Sequence, residues 1–420
     1  MQYLKKLFSI WRDVKAVTVS LFLCILWLWI GDTYFSVYIE EIVVFTLWVS
    51  LFWAVYPLTK LLIVTAVWKL SDKWRGWELI LFWKLCWVVS GLLYFFAWIF
   101  HSWILLLFWI IFSWIAGATI YPSYWMIYKK LWTIDSQGKI FWFHQSSINL
   151  GYCFWALICA IAIIFMELPY IFLFMSAFIV LSIVWDFEIK RIRKLEKPFK
   201  LFWKNGVIWA IAKEMVSSTP LRTVYGVLKD YEWSMYSALW AQALVNLMEY
   251  VWFLFIPIIA LENNLTLVQV AIITFIMWLP NILNVYAGAL SDQYNKKLLI
   301  WWFLLIWGIF YILLWCHDSF IAIMAITFWI AFVIAFIFPM VSALISDWIK
   351  KSEEWVIAGV KEYIATCWEI VGSLWFWLFI SLLGIQGSFM MFGIILSLLA
   401  IYIIVKKLGE KHKINRLKNK

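Results

Sequence analysis

The sequence predicts an all-helical membrane protein, with twelve transmembrane helices in two pseudo-symmetric six-helix bundles. Three observations predict it. First, the 420 residues are 66% hydrophobic and only 14% charged, with a mean hydropathy of +0.91, leaving too few polar side chains to cover a water-facing surface. Second, the basic residues gather in alternate connections between apolar runs. Third, a short charged hinge recurs 220 positions apart, Leu70-Ser71-Asp72 and Leu290-Ser291-Asp292, each followed by basic residues. A repeat of that length means two similar halves.

The apolar runs fall near 16–38, 42–67, 78–99, 103–126, 140–165, 169–189, 236–259, 267–287, 298–316, 319–345, 355–382 and 386–405. Each is close to the roughly 20 residues that cross a hydrocarbon core of about 30 Å. With the N-terminus inside, all 34 Lys and Arg except Lys60, Lys84 and Lys361 fall in inner segments, and no outer loop carries one. This positive-inside bias puts both termini in the cytoplasm and the chain in the cell (inner) membrane. The expected organisation is an N-terminal bundle at 1–189, a basic cytoplasmic linker at 190–235, a C-terminal bundle at 236–405 and a cytoplasmic tail at 406–420. The linker, broken by Pro198 and Pro220, is expected to hold short amphipathic helices at the headgroup layer. The first apolar run is read as a retained span and not a signal peptide.

The net charge of +10 needs no nucleic acid, because basic inner loops face anionic lipid headgroups. The six cysteines (Cys24, Cys86, Cys153, Cys159, Cys316, Cys367) lie almost all within spans without Cys-x-x-Cys spacing, which argues against a disulfide framework, a metal site or any other cofactor. A monomer is expected.

The hinge Trp68-Lys69-Leu70-Ser71-Asp72-Lys73-Trp74-Arg75-Gly76 and its partner Gly288-Ala289-Leu290-Ser291-Asp292 resemble the signature loops of the major facilitator superfamily (MFS) of transporters. That family's loop is roughly Gly-x-Leu-x-Asp-Arg-x-Gly-Arg-Arg between helices 2 and 3, with a weaker copy between helices 8 and 9. Trp68 stands where the family has glycine, as does Trp74 once one residue is allowed to be missing after Lys73. The resemblance implies that Asp72 lies against the N-terminal end of helix 11, an anion at a positive helix end. It also implies that Arg75 helps latch the halves on the cytoplasmic side. Lys73 replaces the family's first Arg, keeping the charge but losing the bidentate fork.

Thirty-five Trp beside sixteen Gly inverts the usual ratio in membrane helices, where Gly is frequent. Aligning 120–157 with 337–374 at an offset of 217 pairs Pro122 with Pro339 without a gap. It also sets Gly138 against Trp355, Trp142 against Gly359, Gly151 against Trp368 and Trp155 against Gly372. The largest and smallest side chains do not interchange at equivalent contacts, and close helix crossings favour small residues. Many Trp letters are therefore expected to be glycines, written as Trp where a UGA codon was read with the wrong table. The alternative, a Trp-rich protein with aromatic belts, would place the indoles at span ends, whereas many lie mid-span.

Polar groups within spans are candidate sites by default. Asp32, about six residues from the outer end of the first span, is a proton-coupling candidate, or else is hydrated beside Glu40 and Glu41. Lys60 lies roughly 10 Å from the inner end of the second span and either snorkels or faces the central cavity, where it would attract an anionic substrate or pair with an acid. Lys84 in the third span is expected to snorkel. Span 5 carries Gln145, Asn149 and Tyr152 at i, i+4, i+7, and span 11 carries Glu362, Thr366 and Glu369 at the equivalent repeat positions. Matched stripes suit a solute pathway between two bundles, or interhelical hydrogen bonding. His144 and Lys361 are another matched pair, expected to be hydrated at the cytoplasmic mouth. Glu249, with Asn246 one turn earlier, and Glu369 are the deepest acids, placed to bind and release protons.

The family resemblance implies a secondary active transporter that moves a small solute or drug by alternating access. Proton coupling through Asp32, Glu249 and Glu369 is the expected drive. Span 5 matches the family's antiporter motif only in part, since Ala156 replaces its proline, and span 4 has none of the Arg that marks the proton-coupling helix. Two rivals remain: a passive or lipid-moving protein on the same fold, and a membrane-embedded enzyme. For the enzyme there is no His-Glu-x-x-His, no Gly-x-Ser-x-Gly and no cluster of catalytic acids at one membrane face.

Overall fold

The computed structural model describes residues 18–21, 38–39, 42, 46–72, 76–131, 148, 151, 154, 157–188, 206–217, 229, 233–283, 295–346 and 354–418. These are almost entirely helical, as a chain of continuous apolar runs has to be where lipid offers its backbone no hydrogen bonds. The helices are α1 (Thr46–Asp72), α2 (Gly76–Ile99), α3 (Trp103–Leu131), α4 (Leu168–Glu188), α5 (Val207–Ser217), α6 (Trp233–Glu262), α7 (Leu267–Trp278), α8 (Lys296–Trp315), α9 (Phe320–Ser346) and α10 (Glu354–Lys418). A 3-10 segment, Leu279–Leu283, follows α7.

Among the described residues six helices are long and apolar enough to cross a membrane. The count is seven if Leu157–Phe165 and Leu168–Val184, bent by 120° to each other, form one broken span. The protein is therefore multi-pass. Its outward faces carry large apolar side chains such as Phe165, Ile321 and Leu382, which suit lipid.

The helix that covers the apolar runs at 355–382 and 386–405 shows how a turn is made. Val360–Lys406 would run about 70 Å if straight, more than twice the membrane core of about 30 Å. It does not run straight: Phe376 meets Phe392 with ring centroids 5.3 Å apart, and Phe379 meets the same ring at 5.4 Å. The chain reverses at Gly384, whose φ of +70° is the left-handed conformation that a glycine adopts without penalty. This lies in the gap, between 382 and 386, where the sequence placed the end of one span and the start of the next. The expected polar tail is not separate from the span, because helix continues through it to Lys418.

Other connections at the same level are short. His101 and Asn264, both with positive φ, sit in the α2–α3 and α6–α7 links. Thr266 opens α7 with a reciprocal cap: its hydroxyl accepts from the Gln269 amide, and the Gln269 side chain accepts from the Thr266 amide at 2.8 Å. Asn295 caps α8 by accepting from the Leu298 amide at 3.3 Å.

α1 packs on α3, α2 on both α3 and α4, α6 on α9 and α10, and α8 on α9 and α10. α3 and α9 begin at equivalent repeat positions, Trp103 and Phe320, and each carries its proline, Pro122 or Pro339, at the same depth. α8 crosses the arm of α10 beyond Gly384 so closely that Gly308 and Gly393 face each other backbone to backbone. A Cβ at Gly308 would lie 2.8 Å from the Gly393 carbonyl oxygen. From the linker, Gly206, α5, Lys229 and the first turn of α6 are described; α5 rests on α1 and α2 with Ile211 buried and Trp209 and Lys213 exposed. Among the described helices the two halves of the chain meet chiefly where α1 packs on α10. There Val64, Val360 and Tyr363 form a small buried cluster flanked by Leu61, Trp68, Ile364 and Cys367.

Candidate functional site

Along that seam lies a group of charges. Lys60, one turn beyond Pro57 in α1, is buried and forms an ion pair with Glu362 of α10. Its ammonium is also 4.0 Å from Glu369 Oε1, one further face-matched position along α10, and 5.2 Å from the centroid of the Trp114 ring on α3. Lys60 therefore points inward and does not snorkel. The reason is charge: a lysine held among apolar helices keeps its proton cheaply only beside a carboxylate, and α10 offers two.

The carboxylates are not equally satisfied. Glu362 is engaged with Lys60 while a third of its side chain stays exposed. Glu369 is 9% exposed, and its Oε2 accepts no hydrogen bond. Across from it on α6, Glu249 is partly buried and within electrostatic reach of Glu369. Three carboxylates thus share this region with two lysines, Lys60 between them and Lys361 within electrostatic reach of Glu362. Lys361, at the N-terminal end of the stripe, is partly buried and donates to Ser342 Oγ of α9 at 2.8 Å, so it ties α10 to α9 in place of full hydration.

Two hydroxyl and amide groups of the predicted stripes behave differently. The Thr366 hydroxyl donates to the Glu362 backbone carbonyl at 2.8 Å, satisfying itself on its own helix. Asn246 accepts from the Gln242 side-chain amide one turn earlier. Gln242 was not singled out from the sequence. It is 1% exposed, and its side-chain oxygen accepts no hydrogen bond. Its position four residues before Asn246 and seven before Glu249 was the available signal. Nearby, the Tyr311 hydroxyl of α8 donates to the Met248 carbonyl at 2.5 Å, fixing α6 against α8.

A second charged cluster lies away from the seam, inside the first half. Lys84 does not snorkel. It is fully buried and forms an ion pair with Asp186 of α4. Its remaining donors reach Ser20 Oγ at 3.3 Å and the Ser182 carbonyl at 3.5 Å. Ser20 also donates to Asp186 and lies 3.1 Å from the Tyr124 hydroxyl. All three ammonium protons are used, which is what makes such burial affordable. Asp186 was missed because, at the end of its run and before the basic linker, it reads as a solvated charge.

Among the described residues no three His, Cys, Asp or Glu side chains converge as a metal site. Asp32, Lys73, Arg75, Gln145, Asn149, Tyr152, Gly288 and Asp292 lie outside the described residues. Asp72 is the last residue of α1.

Comparison with known proteins adds the following. Residues 238–419 match the family model of the Major Facilitator Superfamily. The whole chain is similar in fold to the human organic anion transporter MFSD10 (TETRAN), with a TM-score of 0.64 at 13% identity over 93% of this chain and 99% of that one. It is also similar to a POT family transporter in complex with 5-aminolevulinic acid, with a TM-score of 0.71 at 13% identity over 94% and 96% of the two chains. A POT family transporter in complex with a thioalcohol-conjugated peptide gives 0.70 at 13% identity over 95% and 96%. At these identities the likeness is one of fold. No curated protein matches the chain by sequence.

Proposed function

We propose that this chain is a secondary active transporter of the major facilitator type, which moves a small solute across the cytoplasmic membrane by alternating access and is coupled to protons. The observation that carries the proposal is the Lys60–Glu362–Glu369 group. It joins a helix of one half to a helix of the other, where rocking halves have to part and meet. Around it, Glu369 and Glu249 are the acids that exchange protons, with Asp32 as a third on the first span. The turns at Asp72–Arg75 and at Asp292 close the inner side as a latch. Twelve crossings and two six-helix bundles, with both termini cytoplasmic, are the arrangement this requires.

The test is flux in proteoliposomes across a solute panel, with and without an imposed proton gradient. Gradient-driven flux that is abolished in Asp32→Asn, Glu249→Gln or Glu369→Gln supports the proposal. Unaffected flux in all three variants removes the proton assignment. Flux that ignores every ion gradient favours a passive or lipid-moving protein on the same fold.

A further inference from the structure

We infer that the seam site takes a solute bearing a protonated amine, with Glu369 as its anchor and Lys60 as a tethered ammonium that holds the place when no solute is bound. The inference rests on the transporter reading and adds the substrate's chemistry. Three carboxylates, Glu249, Glu362 and Glu369, face two lysines there, Lys60 and Lys361, the second within electrostatic reach of Glu362. A bound cation completes the charge balance, and a bound anion worsens it. Lys60 shows that an ammonium fits: its Nζ engages Glu362 and stands 4.0 Å from Glu369. Glu369 Oε2 lacks a donor: it is buried, in a residue 9% exposed, and accepts no hydrogen bond. On α6, seven residues and two turns before Glu249 and so on the same face, the Gln242 side-chain oxygen at 1% exposure is another buried acceptor without a donor. Both openings are acceptors, and an alkylammonium, with three donors and no acceptor, is complementary to them.

The experiment uses the purified full chain in detergent micelles and three probes that share a ring and differ in charge: 2-phenylethylamine, 2-phenylethanol and phenylacetate. Thermal unfolding is followed with each. The amine is expected to raise Tm while the other two leave it unchanged. Glu369→Gln should weaken amine binding about tenfold or more, since it removes a charge-assisted hydrogen bond. Lys60→Met should strengthen it, because the internal competitor is gone. If Glu369→Gln fails to fold, the Lys60→Met result decides alone. A shift with phenylacetate in place of the amine, equal amine shifts in wild type and Glu369→Gln, or weakened amine binding in Lys60→Met would overturn the assignment. Failure of the transporter reading looks different: amine is bound with these variant effects, yet no probe crosses a proteoliposome membrane.

A second inference rests on other observations. We infer that many Trp letters, Trp68, Trp74 and Trp142 among them, are glycines in the protein as its host makes it. Trp83, Trp87 and Trp252 are buried at 0%, 5% and 4% exposure, and their indole N–H groups donate to nothing. Buried indoles ordinarily find an acceptor. Where glycine is written at a crossing, as at Gly308 and Gly393, the backbones use its smallness fully, and the repeat pairs such glycines with tryptophans elsewhere. Peptide mass spectrometry on the protein purified from its native host tests this. Glycine masses at Trp68 and Trp142 are expected, and an indole mass at either overturns the inference.

Discussion

Two buried lysines pair with carboxylates in this molecule, and they do opposite things. Lys84 is sealed inside one half, with Asp186, Ser20 and Ser182 using every proton it has. Lys60 lies between the halves, where Glu362 is partly exposed and Glu369 keeps a free oxygen. The first cluster has one arrangement and no spare capacity, so it holds helices of the first half to each other. The second has more acceptors than donors, so its partners can be exchanged. The difference lies in stoichiometry and location, not in residue type.

The comparison breaks hardest at Lys84. Lys84→Met leaves the Asp186 charge with only the Ser20 hydroxyl and should cost about 3–5 kcal/mol of stability, read as a fall in Tm in micelles, while Lys84→Met with Asp186→Leu should recover most of it. A control on rigidity comes next. Gly308→Ala forces a Cβ to within 2.8 Å of the Gly393 carbonyl and should cost about 1–3 kcal/mol by the same assay. The seam should be milder. Glu362→Gln leaves Glu369 to hold Lys60, so stability should fall by only about 1–2 kcal/mol, while gradient-driven flux in proteoliposomes falls much further than stability does. If Glu362→Gln destabilises as severely as Lys84→Met, the two clusters are alike and the distinction fails. Gly384→Ala tests the turn: open space surrounds the missing Cβ, but φ +70° with ψ 176° is a backbone region essentially confined to glycine, so the substitution should cost about 1–3 kcal/mol in Tm-derived stability.

The apolar runs, the gap near Gly384 and the equivalence of Pro122 and Pro339 were legible in the sequence, because span length and repeat spacing are local properties. So was the stripe of Glu362, Thr366 and Glu369, since helical periodicity puts them on one face. What periodicity cannot give is the partner on another helix. It left Lys60 undecided between snorkelling and an inward position, and it put Lys84 at the headgroups because Asp186 lay 102 residues away in sequence. Thr366 was counted as a pathway residue from its register, although its hydroxyl bonds to its own helix. Gln242 went unnoticed because a lone amide among apolar residues announces neither partner nor vacancy.

The reversal at Gly384 has a mechanical consequence. A join of one residue has no slack, so the two arms of α10 cannot slide along each other, and relative motion between them reduces to pivoting. Glu362 lies roughly 22 residues from that pivot, about 33 Å along the arm. A tilt of about 10° would then sweep its carboxylate through about 6 Å, enough to part it from Lys60 without unwinding a single turn of helix.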